Sequence, residues 1–281
     1  MIPFEVIVLL PAPGGSPSGQ AHESLRALEA RLAASGRNDR DVVALTFFVD
    51  ATDPAAYAVQ REELAALVRD RFDPAPPPAS VLAQAPEGGR HVALEATVLL
   101  PPAPDVTVTR PTCSDLAYTV VTGPGGVRQV YGGGISSDPD LRDTAARARD
   151  AFSKMGEILR DAGMTFDHVI RQWNYIEGLL DIQTAGSGRH QGYQAFNDVR
   201  TLAYEPAEFP AGYPASTGIG QAAGGVALEF LALDAPPEVS VAASSNPRQV
   251  DAHRYSAGQL VGESLGELPR KSTPKFERAK R

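Results

Sequence analysis

Two periods of apolar residues alternate along the chain. Runs dense in β-branched residues at Val6–Leu10, Asp41–Asp50 and Val92–Leu100 predict strands, the middle one apolar enough to be covered on both faces. Between them, Leu25, Leu28 and Leu32 recur at helical spacing over His22–Ala34, and Ser35-Gly36 stops that helix. A second helix, Pro54–Arg71, is entered through Asp53-Pro54, because a proline in the first turn gives up an N–H that would be unpaired there anyway. The same order then returns. Val127–Tyr131 reads as a strand, Leu141–Asp161 as a helix, Val169–Ile176 as a strand, Gln191–Leu202 as a helix and Val226–Leu233 as a last strand.

The return is close in register. Leu32, Gly36 and Val42 match Leu159, Gly163 and Val169, each displaced by 127 positions. Pro78-Ala79-Ser80 recurs as Pro214-Ala215-Ser216, and Val92-Ala93-Leu94-Glu95 recurs letter for letter at Val226–Glu229. Matches in one order on the same element types point to duplication. The expected fold is α+β: two tandem modules, 1–104 and 105–240, each with helices on one face of a β-sheet, then an extended C-terminal strap, 241–281. The sheet faces that no helix covers should pack against each other in a barrel-like way.

Composition narrows the function. The 281 residues carry a net charge of −8, with 43% hydrophobic and 21% charged residues, which suits a globular protein with a sizeable core. An acidic chain argues against nucleic acid as a partner, and the basic run from Arg270 to Arg281 reads as a solvated tail. The single cysteine, Cys113, allows no internal disulfide and suggests a reducing, cytoplasmic setting. No metal-ligand spacing is present, so neither metal nor cofactor is expected. The apolar start, Met1–Leu10, lacks a basic flank and is too short to span a bilayer; it reads as a strand, and no membrane partner is expected. Gly132-Gly133-Gly134 lacks the Lys-Ser/Thr of a phosphate loop and reads as a loop of permissive backbone.

A helix ending in Leu-x-x-x-Gly, a strand opening on β-branched residues, a Pro-Ala pair and a final Val-x-Leu-Glu strand together resemble the RidA/YjgF family over about residues 20–100 and 127–233. That resemblance implies trimers with small-molecule sites in clefts between subunits. The deaminases of that family carry an Arg after the Pro-Ala pair and a carboxylate on the last strand. Here those positions are Ser80 and Ser216, and Ala93 and Ala227, so imine or enamine deamination is a third-ranked reading.

The second half is more specific. Arg171-Gln-Trp-Asn-Tyr175, Tyr193-Gln-Ala-Phe196-Asn197-Asp-Val-Arg200, Phe209-Pro, Pro214–Gly220, Asn246-Pro-Arg-Gln249, Tyr255 and Pro274–Ala279 follow in an order similar to the amino-terminal half of chorismatases. Those enzymes hydrolyse the enolpyruvyl ether of chorismate. Their second module follows and supplies the catalytic Glu, whereas here the additional module precedes, so the order looks swapped. The resemblance implies an enzyme of secondary metabolism acting on chorismate or a related cyclic carboxylate, with turnover slow if the missing Glu is not replaced. The alternative is a non-catalytic protein that keeps the pocket and binds a small carboxylate.

Tyr193 and Arg200 stand two helical turns apart and so share a face. The resemblance makes them carboxylate binders, which the guanidinium fork suits. Thr217-Gly218-Ile219-Gly220 offers free N–H groups and room for a ligand. Arg171, Trp173 and Tyr175 share one face of a strand, either as core or as the edge of an aromatic-lined cleft. Acid/base candidates are Glu95, Glu229, Glu177 and Glu263. Glu95 and Glu229 rank first because burial on apolar strands raises a carboxyl pKa, although either residue could instead simply brace the fold.

Overall fold

The computed structural model describes residues 2–100, 105–185, 188–210 and 212–242. In chain order the first half runs β1 (Phe4–Leu9), α1 (Pro17–Ala34), β2 (Val42–Val49), α2 (Pro54–Arg71), β3 (Ala79–Leu82) and β4 (Val92–Leu99). The second half runs β5 (Thr107–Thr109), β6 (Thr112–Cys113), β7 (Leu116–Thr122), β8 (Arg128–Ser136), α3 (Thr144–Asp161), β9 (Val169–Glu177), β10 (Ile182–Ala185), β11 (Gly188–Gln191), α4 (Gly192–Tyr204), β12 (Ala215–Gln221) and β13 (Val226–Asp234).

The helix ends follow from local chemistry. The Asp53 and Asp143 carboxylates accept N–H bonds from the first turns of α2 and α3. Helix α1 starts earlier than the leucine spacing indicates, because Ser16 caps it and Pro17 sits in its first turn. The Ser-Pro pair that looks like the end of a loop is a helix start. At the other ends, Gly36 (φ 71°) and Gly163 (φ 69°) take the left-handed conformation, and the next N–H groups, of Arg37 and Met164, reach back to Leu32 and Leu159.

The duplication is visible in the sheets. The first is ordered β1-β4-β2-β3; the second contains β8-β13-β9-β12 in the same relation and continues through β7 to β5. In each, the last strand enters antiparallel at the centre, and β3 or β12 pairs parallel with β2 or β9 at an edge. Sequence periodicity missed β3, β7 and β12 as strands. The first is short and β12 is too rich in Ser, Thr and Gly to show an apolar alternation, whereas β7 is an apolar, β-branched run with no counterpart among the four strands that the two sheets share.

Each sheet buries one face under its helices. Ile7, Phe47 and Leu94 pack with Leu25, Leu28 and Leu64, while Leu228, Phe230 and Ile176 pack with Phe152, Met155 and Phe196. The other faces meet. Val43 and Leu99 of the first sheet join Val121, Tyr131 and Leu231 of the second, and Leu82 joins Tyr175 and Ala227. The result is four layers, helices–sheet–sheet–helices, with an apolar seam in the middle. The uncovered sheet faces pack against each other as expected from sequence, and both sheets stay open, so no closed barrel forms. The C-terminal strap, with Asn246, Arg248, Tyr255 and Glu263, lies outside the described residues apart from its first two positions.

The triple glycine lies inside β8, not in a loop. Opposite Glu229 the register of β13 against β8 slips between Leu228 and Phe230, a bulge that the glycines absorb. A Cβ on Gly132 would fall 2.1 Å from the Phe230 ring, and one on Gly134 (φ 67°) would fall 2.7 Å from the Ala79 carbonyl. The absent side chains let β3 settle onto β8. We expect Gly134→Ala to cost about 1–3 kcal/mol through overpacking and left-handed strain, read as a lowered urea midpoint with unchanged slope.

Candidate functional site

The seam is largely apolar, and besides the buried Thr119 and Gln129 it holds a polar cluster built around one carboxylate. Glu229 of β13, opposite the bulge in β8, points out of its sheet towards the first one. Its carboxylate accepts hydrogen bonds from Thr46 Oγ1 of β2 (2.7 Å) and Tyr175 Oη of β9 (3.0 Å), with the Ser80 hydroxyl of β3 as a third partner. Ser80 Oγ in turn accepts the Gly134 N–H at 2.8 Å. Glu95 is the cross-strand neighbour of Thr46 and stands where Glu229 stands in the other sheet. The two acids feel each other. Burial raises the Glu95 pKa and the Glu229 charge raises it further; burial also raises that of Glu229, against the pull of its three hydroxyl donors. The Tyr175 phenol is likewise pushed up, first by burial and then by Glu229.

One strand further, Arg171 lies over the Trp173 ring at 4.7 Å and donates to Thr217 Oγ1 of β12. Burial lowers its pKa. Glu95, Glu229, Tyr175, Arg171 and Thr217 therefore share the seam between the sheets.

Tyr193 and Arg200 do share a helix face, and both reach β12. Arg200 donates to Ser216 Oγ at 3.0 Å, and the Tyr193 ring covers Gly218, whose Cβ would stand 3.1 Å from it. This is the α4 side of the second sheet, however. Asn174 donates to Ser216 there, and Gln172 is bonded by Tyr204. The six binding residues expected from sequence thus divide between the two faces of β9–β12. Thr217 and Gly218, read from sequence as part of one ligand-approach segment, are adjacent strand residues on opposite faces.

The cause is a one-residue slip between the copies. Ser80 pairs with Thr46, whereas Ser216 pairs with Gln172, and it is Trp173 that occupies the place of Thr46. A single-residue shift reverses every side chain. Ser80 therefore faces the seam and Ser216 faces α4. Sequence comparison alone made them equivalent; the seam counterpart of Ser80 is Thr217. Thr46 and Ser80, which hold Glu229, were missed because an isolated Thr or Ser on an apolar strand gives no signal of its own.

Glu177 lies elsewhere, in an ion pair with Arg147 at 3.3 Å and a bond to the Gly225 N–H. Among the described residues no three His, Cys, Asp or Glu side chains are grouped to hold a metal, and no helix is long and apolar enough to cross a membrane.

Residues 129–232, from β8 to β13, match the family model "Chorismatase FkbO/Hyg5-like, N-terminal". The resemblance read from the second half of the sequence holds over that span. A 3-hydroxybenzoate synthase of Streptomyces hygroscopicus is 36% identical over 119 residues, 42% of this chain and 32% of that protein. A chorismatase of Streptomyces rapamycinicus is 29% identical over 123 residues, 43% of this chain and 34% of that protein. The match spans about a third of the length of these relatives. A solved chorismatase structure aligns with 83% of this chain and 54% of its own at 17% identity and a TM-score of 0.49.

Because the Glu95 pKa is raised in the fold, its contribution to stability is complete below the unfolded glutamate value and is lost as pH rises through the folded one. The stability difference between Glu95→Gln and the parent should therefore move in favour of the variant as pH climbs from about 4, and level off above the folded pKa. In Glu229→Gln the neighbouring charge is gone, so the Glu95 carboxyl should titrate at lower pH by 13C NMR.

Proposed function

We propose that this protein acts on chorismate or a closely related cyclic carboxylate of secondary metabolism, cleaving an enolpyruvyl ether with the Glu95–Glu229 pair as acid and base. The observation that carries the reading is a pair of carboxyls, both raised by burial and Glu95 further by the Glu229 charge, in a seam that also holds a guanidinium. Cleavage needs a proton delivered to the enolpyruvyl methylene. Water then adds to the resulting cation, and the hemiketal collapses to pyruvate and an alcohol. A carboxyl whose pKa is raised by burial and by a neighbouring charge suits the first step, and an ionised partner suits activation of water. Glu229, already fixed by three hydroxyls, is the better-ordered of the two.

By the same reading Tyr193 and Arg200 hold a second carboxylate around the edge of β12, where exposed Ser216, Gly218 and Gly220 leave the strand bare. The modules 1–104 and 105–240 together form the unit that acts, and a trimer is the proposed assembly.

One observation favours a second reading, a binding protein without turnover. Ala93 and Ala227, at the positions where the resemblance places a carboxylate, are 6% and 3% exposed, and Ala227 is packed against Leu82 and Tyr175.

The two readings separate in one assay. With chorismate and a lactate dehydrogenase couple, the parent should release pyruvate, and Glu95→Gln and Glu229→Gln should each slow it about 100- to 10,000-fold. Pyruvate release that survives both substitutions sinks the acid/base assignment; chorismate binding without pyruvate release supports the binding protein. By calorimetry Arg200→Ala should lose about 2–4 kcal/mol of chorismate affinity.

A further inference from the structure

Partly buried guanidinium groups in this chain are compensated with one conspicuous exception on the seam. Arg37 has Glu5, Arg71 has Asp39, Arg128 has Asp234 and Arg147 has Glu177, while Arg110 donates to the carbonyls of Ala75, Asp39 and Val42. Arg171 has the Thr217 hydroxyl and the Trp173 ring, and among the described residues no acid stands within ion-pair distance of it. Glu229 is one strand away, on the residue that pairs with Trp173, but its oxygens are taken by Thr46, Ser80 and Tyr175. Drawing a cation partly out of water without an anion is costly, and the fork retains N–H groups beyond the one that Thr217 accepts.

We propose that Arg171, laid flat on Trp173 and held by Thr217, is a carboxylate anchor that seats the enolpyruvyl end of the substrate beside Glu229. The inference rests on the functional reading above for the identity of the substrate, but not for the anion seat. The chemistry fits the spacing. In an enolpyruvyl ether the carboxylate is attached to the carbon next to the methylene that takes the proton, so anchor and acid must be near neighbours. Arg171 pairs with Leu231 and so lies diagonally from Glu229; such neighbours stand about 7–8 Å apart, a gap that a long guanidinium side chain and a bound carboxylate can bridge. The indole face fixes the plane of the guanidinium, and a planar fork then receives a carboxylate through two parallel N–H bonds. Arg200, also bonded by a hydroxyl alone, lies across the sheet from the acids and cannot present this group to them.

Trp173 is the only tryptophan of the chain, so its emission reports directly on this seat. The probe is 2-methoxyacrylate, the smallest enol ether bearing the carboxylate, with its methyl ester as the uncharged control. The full-length parent should give a saturable change in Trp173 emission with the acid and none with the ester. Arg171→Gln should weaken the apparent Kd about 10- to 100-fold. Arg171→Lys keeps the charge and guards against a folding defect; it should fall short of the parent by about threefold or more, because an ammonium lacks the planar fork. Parent affinity in either variant, or no saturable change in the parent, overturns the anchor. If 2-methoxyacrylate binds through Arg171 while chorismate yields no pyruvate, the anchor stands and the hydrolytic reading falls.

Discussion

The joint between the sheets turns on one carboxylate. Glu229 sits in an apolar seam where an ionised group without partners would cost several kcal/mol. It is tolerated because both sheets supply donors: Thr46 and Ser80 from the first, Tyr175 from the second. The interaction is therefore a cross-brace as well as a candidate acid. Thr46 and Ser80 belong to different strands of one sheet, so they converge on a single acceptor only when that sheet stands in one position over the other. Apolar contact drives the sheets together, and the polar cluster selects how they lie.

That position also depends on what is absent. Backbone can approach backbone at Ala79 and Gly134 because Gly134 carries no side chain, and the same glycine run of β8 accommodates the bulge that lies opposite Glu229. Close packing and the polar brace are thus one feature. In a phosphate-loop motif glycines make room for a ligand; here they make room for the other half of the chain.

The duplication brings two equivalent glutamates face to face. Glu95 and Glu229 occupy the same place in each copy, and stacking the copies by their open faces sets the acids near each other, which raises the Glu95 pKa beyond what burial does. An arrangement of this kind needs two modules. The symmetry is broken next to it by the slip of β12, which puts Thr217 rather than Ser216 on the seam and gives the second sheet an arginine on each side of its edge strand.

Sequence alone determined the element order, the duplication, the sharing of a face by Arg171, Trp173 and Tyr175, and the choice of Glu95 and Glu229. All of these are local periodicities or repeats, carried by the period of two of a strand and of 3.6 of a helix. It also determined that Tyr193 and Arg200 project from one helix face. Tertiary structure decided the rest. Whether Ser216 faces the seam or α4 depends on the register of β12 against β9, set by pairing between segments more than forty residues apart. The roles of Thr46 and Ser80 exist only once the sheets meet, since neither residue has a partner within its own element. The separation of the expected binding residues onto two faces follows from the same register, because in a strand adjacent residues are near in sequence and opposite in space.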